Sequence, residues 1–303
     1  MHTLLGNVIT QINKVVLGKE HQVKLALACL LAKGHLLIED LPGMGKTTLS
    51  HALADSLGLS YQRAQFTSDL LPADIIGVST FNQKTQSFDF HQGPVFNQVL
   101  LCDEINRASP KTQSALLEAM EEKQVSIDGQ THQLPSPFFV IATQNPLHQS
   151  GTFPLPESQL DRFLMTISLD YPARTAELAM LKGAINPLSI IETVLSPEQL
   201  SAIQSQVEEV MVSDVVLNYI LDLVTLSRTS AEIPNPLSPR ASKSLVISAK
   251  AWAVIDGRDY VTHDDVQTVL GPVCEHRMRA ETELFTQHSN YSKYLIESVP
   301  VRV

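Results

Sequence analysis

The stretch that most constrains this chain is His35 to Thr48, HLLIEDLPGMGKTT. Leu36, Leu37 and Ile38 form a short apolar run of the kind that makes a strand buried on both faces. The run breaks at Pro42-Gly43 and reaches Gly45-Lys46-Thr47. Beyond Thr48, the residues Leu49, Ala52, Leu53 and Leu57 fall at helical spacing. Strand, glycine loop and helix in that order are the context in which a phosphate-loop pattern carries meaning. Gly43 and Gly45 bring backbone N–H groups close to phosphate oxygens, because no Cβ blocks the approach. The new helix directs its positive end at the same phosphates. Lys46 adds a point charge, and the Thr47 hydroxyl is a Mg²⁺ ligand of the right hardness. Pro42, Met44 and Thr48 complete the expected cradle.

The strict pattern G-x-x-x-x-G-K-[ST] asks for glycine where this chain has Asp40. That glycine eases the exit from the strand and does not touch phosphate, but a carboxylate beside a triphosphate repels it unless it points away. Asp40 therefore bears on nucleotide affinity and not on the fold.

A second centre is VLLCDE, residues 99–104, a buried strand ending in two adjacent acids. Beside a phosphate loop, Asp103 is expected to hold Mg²⁺ and Glu104 to polarise the attacking water. A third strand, 138–143, runs into Gln144-Asn145-Pro146. At a strand tip near the acids the Asn145 amide orients the water or a γ-phosphate oxygen; alone, Asn-Pro reads as a turn.

The rest of the chain frames these centres. Residues 1–33 read as helices separated at Gly18, which is either the seat of an adenine ring or a helix-ending glycine. Tyr61 to Phe66 reads as a strand, and two hairpins follow, at 78–90 and, around Asp128-Gly129, at 124–133. In the second hairpin His132 is the only candidate cation, which counts against a DNA motor. Arg162 closes a short helix, QLDR, ahead of an expected strand over 163–169. It either pairs locally with Asp161 or Glu157, or reaches a neighbour's nucleotide as arginine fingers do. Strand patterns stop at Tyr171-Pro172, and after the Asn186-Pro187 break four helix starts appear at Ser196, Ser213, Ser238 and Thr262. Arg240 stands in the first turn of the third, where a cation opposes the helix dipole. An anionic ligand or a surface acid accounts for it.

Bulk composition sets outer limits. The 303 residues, 44% hydrophobic and 18% charged, are enough for two globular domains. The net charge of −10 comes without a Lys/Arg cluster, so nucleic acid is a poor expectation. Cys29, Cys102 and Cys274 are far apart and read as buried thiols of a reducing compartment. No signal peptide or spanning segment is visible, so a cytoplasmic location is expected.

Taken in order, LPGMGKTT, VLLCDEINRA, ATQNP, QLDRF and SPRAS resemble the AAA+ ATPases, and within them the MoxR family. QFTSDLLPADIIGV, PKTQSALLEAMEE and DGRDYVTHDDV extend the resemblance over nearly the whole chain. It implies an α/β fold: a P-loop core of a parallel five-stranded sheet between helices over residues 1–185, with hairpin insertions, and an all-helical lid over 186–303. It places the Asn145 strand between the Lys46 and Asp103 strands. It implies Asn145 as first sensor, Arg162 as the finger acting in a neighbour's site, with Arg107 a rival, and Arg240 as second sensor. It implies ATP and Mg²⁺, a homo-oligomer of hexameric-ring type, and remodelling or maturation of a protein partner, often one with a von Willebrand A domain, in metal-cofactor insertion or complex assembly. A nucleotide-gated scaffold and a magnesium-chelatase-like subunit share the same parts.

Overall fold

The computed structural model describes residues 2–145, 151–183, 188–280 and 290–301. Pro146 and the Asn186-Pro187 break lie outside the described residues, as does the expected 185/186 boundary. Two helices open the chain, α1 (His2–Asn13) and α2 (Glu20–Leu31), followed by β1 (Leu36–Glu39), α3 (Lys46–Ser56) and β2 (Tyr61–Gln65). After α4 (Pro72–Ile76) comes the hairpin β3 (Gly77–Asn82) and β4 (Ser87–Gln92). Then follow β5 (Val99–Asp103), α5 (Pro110–Glu122), the hairpin β6 (Gln124–Ile127) and β7 (Gln130–Gln133), and β8 (Phe139–Gln144). The short α6 (Glu157–Leu160) leads to β9 (Met165–Ile167) and α7 (Arg174–Leu181). Among the described residues five further helices follow: α8 (Pro197–Glu209), α9 (Asp214–Thr229), α10 (Pro239–Ile255), α11 (His263–Met278) and α12 (Tyr291–Ser298).

The sheet is parallel, in the order β2-β5-β8-β1-β9. A parallel sheet is covered on both faces, so its strands read as unbroken apolar runs. Successive residues of β5 and β8 enter opposite clusters: Val99, Leu101, Phe139 and Ile141 join one, and Leu100, Cys102, Val140 and Ala142 the other. The first cluster also gathers α1, α2 and α3 with the buried faces of α8 to α11, so the N-terminal helices bridge the sheet and the C-terminal helices. The helix starts at Ser196, Ser213, Ser238 and Thr262 are true caps: each side-chain oxygen accepts the backbone N–H three residues on.

One expectation is corrected, and one helix is new. The strand foreseen over 163–169 is only three residues long, because side chains take the backbone groups at its ends. Phe163 O accepts from Arg277 Nη2 at 2.8 Å, and Leu169 N donates to Asp40 Oδ2 at 2.7 Å. The helix α12 follows residues 281–289 and was not read from the sequence; its N-cap is Asn290, whose side chain accepts from Lys293 N.

His35 sits fully inside, between Met120 and the sheet. Its Nδ1 accepts the Val140 N–H at 3.0 Å, so Nε2 carries the proton and donates to Met120 O at 3.3 Å. Burial pushes its pKa down from 6.5 to about 4. The unfolded chain therefore takes up a proton at a pH where the folded chain still excludes it. Stability from this residue is complete above pH 6.5 and is lost as pH falls toward 4. The buried His276, also shifted down by burial, adds to the same dependence. In urea unfolding between pH 7 and 4.5, a His35→Gln variant is expected to show a shallower loss of midpoint with acidification than the parent chain.

Candidate active site

Parallel pairing sets the C-terminal ends of β1, β5 and β8 along one edge of the sheet, where open α/β folds bind ligands. Glu39 pairs with Gln144, so Asp40 and Asn145 leave their strands at one level, and Cys102 pairs with Ala142, so Asp103 ends its strand beside Thr143, two residues before Asn145. Pro42, Gly43, Gly45, Lys46, Thr47, Thr48, Arg63, Asp103, Glu104 and Asn145 line a cleft of about 370 Å³ there. Met44 turns its side chain toward the hydrophobic core.

Gly43 and Gly45 have φ of +85° and +91°, and a Cβ at either would enter open space. That is the shape of a backbone cradle facing the cleft, and it needs glycine. The helix α3 starts at Lys46, so the N–H groups of its first turn have no partner within the helix. Lys46 Nζ rests on the carbonyls of Asp40 (2.6 Å) and Leu41 (3.2 Å). Burial lowers its pKa, against the opposing pull of Asp40, Asp103 and Glu104. With the Thr47 hydroxyl and the Asp103 carboxylate in the same cleft, the donor set fits a triphosphate with a hard divalent cation.

Asp40 turns away from this cradle. Its Oδ2 accepts from the N–H of Leu169 (2.7 Å) and Asp170 (2.9 Å), and its Oδ1 from Leu41 (2.9 Å). The carboxylate that departs from the loop pattern ties the loop's first residue to the segment leaving β9.

The two acids are held by Arg107 and by three residues that sequence reasoning missed, Arg63, Gln65 and Thr143. The Thr143 hydroxyl donates to Asp103 Oδ1 at 2.6 Å and accepts the Glu104 N–H at 3.0 Å. Arg63 pairs with Asp103 Oδ2 at 2.6 Å. Gln65 Nε2 and Arg107 Nη1 both donate to Glu104 Oε2, at 3.1 and 2.8 Å. Glu104 itself has φ +57°, a left-handed conformation that costs a non-glycine residue roughly 1–2 kcal/mol. Its backbone is fixed by Thr143 and its side chain by Gln65 and Arg107. The available signal was alternation: Arg63 and Gln65 share one side of β2, and Gln65 pairs with Asp103.

Three predicted residues lie elsewhere. Gly18, φ +70°, forms a turn against α7, where a Cβ would come within 3.0 Å of Ala176. Arg162 pairs neither with Asp161 nor with Glu157; it reaches Glu121 Oε2 at 3.0 Å. Arg240 also reaches Glu121, at Oε1 and 2.8 Å, and approaches Asp161 at 3.5 Å. Both arginines line a separate cavity of about 230 Å³. In the second hairpin, His132 is stacked on Phe90, with ring centroids 4.1 Å apart.

The sequence profile of the ATPase family associated with various cellular activities (AAA) matches residues 35–165, and that of the AAA lid domain residues 226–291. The chain is 38% identical to "Chaperone MoxR1" of Mycobacterium tuberculosis (strain ATCC 25618 / H37Rv), over 92% of this chain and 76% of that protein. The chain belongs to the MoxR family of AAA+ ATPases. It is also 46% identical to "Uncharacterized protein YeaC" of Bacillus subtilis (strain 168), over 93% of this chain and 89% of that one. The crystal structure of a putative ATPase from Cytophaga hutchinsonii superposes with a TM-score of 0.90 at 35% identity, covering 100% of this chain and 96% of the other. No helix among the described residues is long and apolar enough to cross a membrane.

The Asp40 contacts yield a measurable expectation. Replacing Asp40 with alanine leaves three backbone N–H groups without their charged acceptor, that of Leu169 buried and those of Leu41 and Asp170 part-buried, worth about 2–3 kcal/mol in total. Urea denaturation of Asp40→Ala is expected to show that loss, with Asp40→Asn losing less.

Proposed function

We propose that this MoxR-family chain hydrolyses ATP with Mg²⁺ at a seam between two copies of itself, and uses the cycle to remodel a partner protein. The observation that carries this reading is a separation. Lys46, Thr47, Asp103, Glu104 and Asn145 share one cleft, whereas Arg162 and Arg240 stand together in another cavity of the same chain. A site assembled from both surfaces draws each half from a different subunit.

In this reading the loop N–H groups and Lys46 hold the phosphates, and Thr47 and Asp103 hold the cation. A Mg²⁺ ion held there would supply neutralisation of the triphosphate's charge. Glu104 accepts a proton from the attacking water while Asn145 orients it. Gln65 and Arg107 now occupy the Glu104 carboxylate, so they must yield it for this step. Arg162 and Arg240 of the adjoining copy offset the charge that builds on the γ-phosphate; Arg107, beside Glu104, is the rival for that role. Residues 1–185 act as the core and 186–303 as the lid. A ring, hexameric by family resemblance, is the assembly that this reading favours. A relative named as a chaperone supports a protein client, and the family resemblance favours one with a von Willebrand A domain, in metal-cofactor insertion or complex maturation. Three unpaired, buried cysteines are in keeping with a cytoplasmic setting.

Glu104→Gln is expected to bind ATP with unchanged affinity while turnover falls at least a hundredfold, measured by phosphate release and by nucleotide titration. Arg162→Ala is expected to bind ATP normally and to turn over slowly. Mixing those two variants is expected to recover phosphate release, since each supplies the half that the other lacks. A mixture as inactive as its parts rules out the shared site.

A further inference from the structure

The two arginines are joined by one carboxylate. Each oxygen of Glu121 takes a different guanidinium, Arg162 from the core at 3.0 Å and Arg240 from α10 at 2.8 Å. Like charges repel at such separations, and an acid placed between them cancels that repulsion. Asp161 braces the arrangement: it approaches Arg240 Nη1 and accepts from Arg277 Nε at 2.7 Å. Arg277 is almost fully buried and also donates to Phe163 O, so this brace is anchored in the fold.

Two observations show that the pair is presented to a ligand and is not a closed structural knot. The cavity wall carries Lys33, Lys123, Arg162, Arg240 and Arg277 against the acids Glu121 and Asp161; with Lys33 paired to Glu208 at 2.6 Å, four cations face two acids. Such a surplus attracts an anion. Arg162 meets Glu121 through Nη2, and Arg240 gives Nη2 to Glu121 and Nη1 to Asp161, so each five-donor guanidinium fork keeps donors for an incoming phosphate.

We propose that Glu121 is a positioning residue that yokes Arg162 and Arg240, so that both guanidiniums meet one phosphate group of the ATP held by the adjoining copy. The inference rests on the shared-site reading above. Among the described residues Glu121 is ion-paired with Arg162 and Arg240 and does not line the phosphate cleft, so it acts through the arginines. It stands in the last turn of α5, whose N-cap Ser109 follows the Glu104–Arg107 segment. One helix therefore separates the acid of a subunit's own cleft from the arginines that it offers to its neighbour.

The test is steady-state ATP turnover by Glu121→Ala and Glu121→Gln, alone and mixed with Glu104→Gln. Glu121→Ala is expected to lower kcat about tenfold or more with KM for ATP changed less than twofold. Glu121→Gln, which keeps the shape and one acceptor oxygen, is expected to fall between it and the parent chain. Mixing Glu121→Ala with Glu104→Gln is expected to restore turnover, because the Glu104→Gln copies bring intact arginine pairs to the Glu121→Ala clefts. An unchanged kcat in both Glu121 variants overturns the proposal. So does a loss that the mixture leaves uncorrected while the mixture of Arg162→Ala with Glu104→Gln recovers. If the Arg162→Ala mixture fails as well, the shared-site reading falls first.

Discussion

Parallel pairing among β5, β8 and β1 is the constraint on which the cleft depends. With the three strands in register, the chain leaves each at the same edge, and the chemistry of that edge is then decided by the next residue or two. Asp103 ends β5 and Glu104 follows it, Asn145 follows β8, and the glycine loop follows β1. A shift of one residue in any strand would turn its inward side chains to the other face of the sheet and move its acid or amide away from the loop. The apolar runs that fill both faces hold the register, so the packing that stabilises the sheet also sets the distances in the cleft.

Two arginines of the C-terminal helices make polar contacts to the sheet. Arg277 reaches from α11 to Asp161 and to the backbone before β9. Arg279 pairs with Glu39 at 2.9 Å, and Gln144 donates to the same carboxylate at 2.5 Å. Glu39 thus joins the strand before the loop, the strand before Asn145 and the end of α11. A buried charge is tolerated only when it is paired and hydrogen-bonded, and Arg277 meets that condition with one carboxylate and several carbonyls. The Glu39 contacts lie beside the nucleotide cleft and the Arg277 contacts beside the arginine cavity, and together they tie the sheet to the C-terminal helices.

Most of the architecture was legible in the chain because its signals are local. Apolar runs mark buried strands, Ser and Thr caps mark helix starts, and Asp128-Gly129 marks a turn. The loop and the paired acids were legible because their chemistry requires adjacent residues. Arg63, Gln65 and Thr143 were not, since each acts across strands from a position that looks ordinary in sequence. The partners of Arg162 were not legible either: Asp161 and Glu157 were nearer in sequence, but the fold brings Glu121 closer. Asp40 shows the reverse limit. As a string it is a flaw in a motif, and only the backbone amides of Leu169 and Asp170 reveal it as an anchor.

The separation of the phosphate cleft from the arginine cavity has a consequence for symmetry. A two-fold pair joins identical patches, each partner giving what it receives. Two unlike patches cannot be matched in that way: docking one copy on another satisfies one cleft and leaves an unmatched surface at each end. Contacts of this head-to-tail kind either close on themselves or grow without limit. Under the proposed reading, the angle between the two surfaces on a single chain decides between a finite circle and a filament.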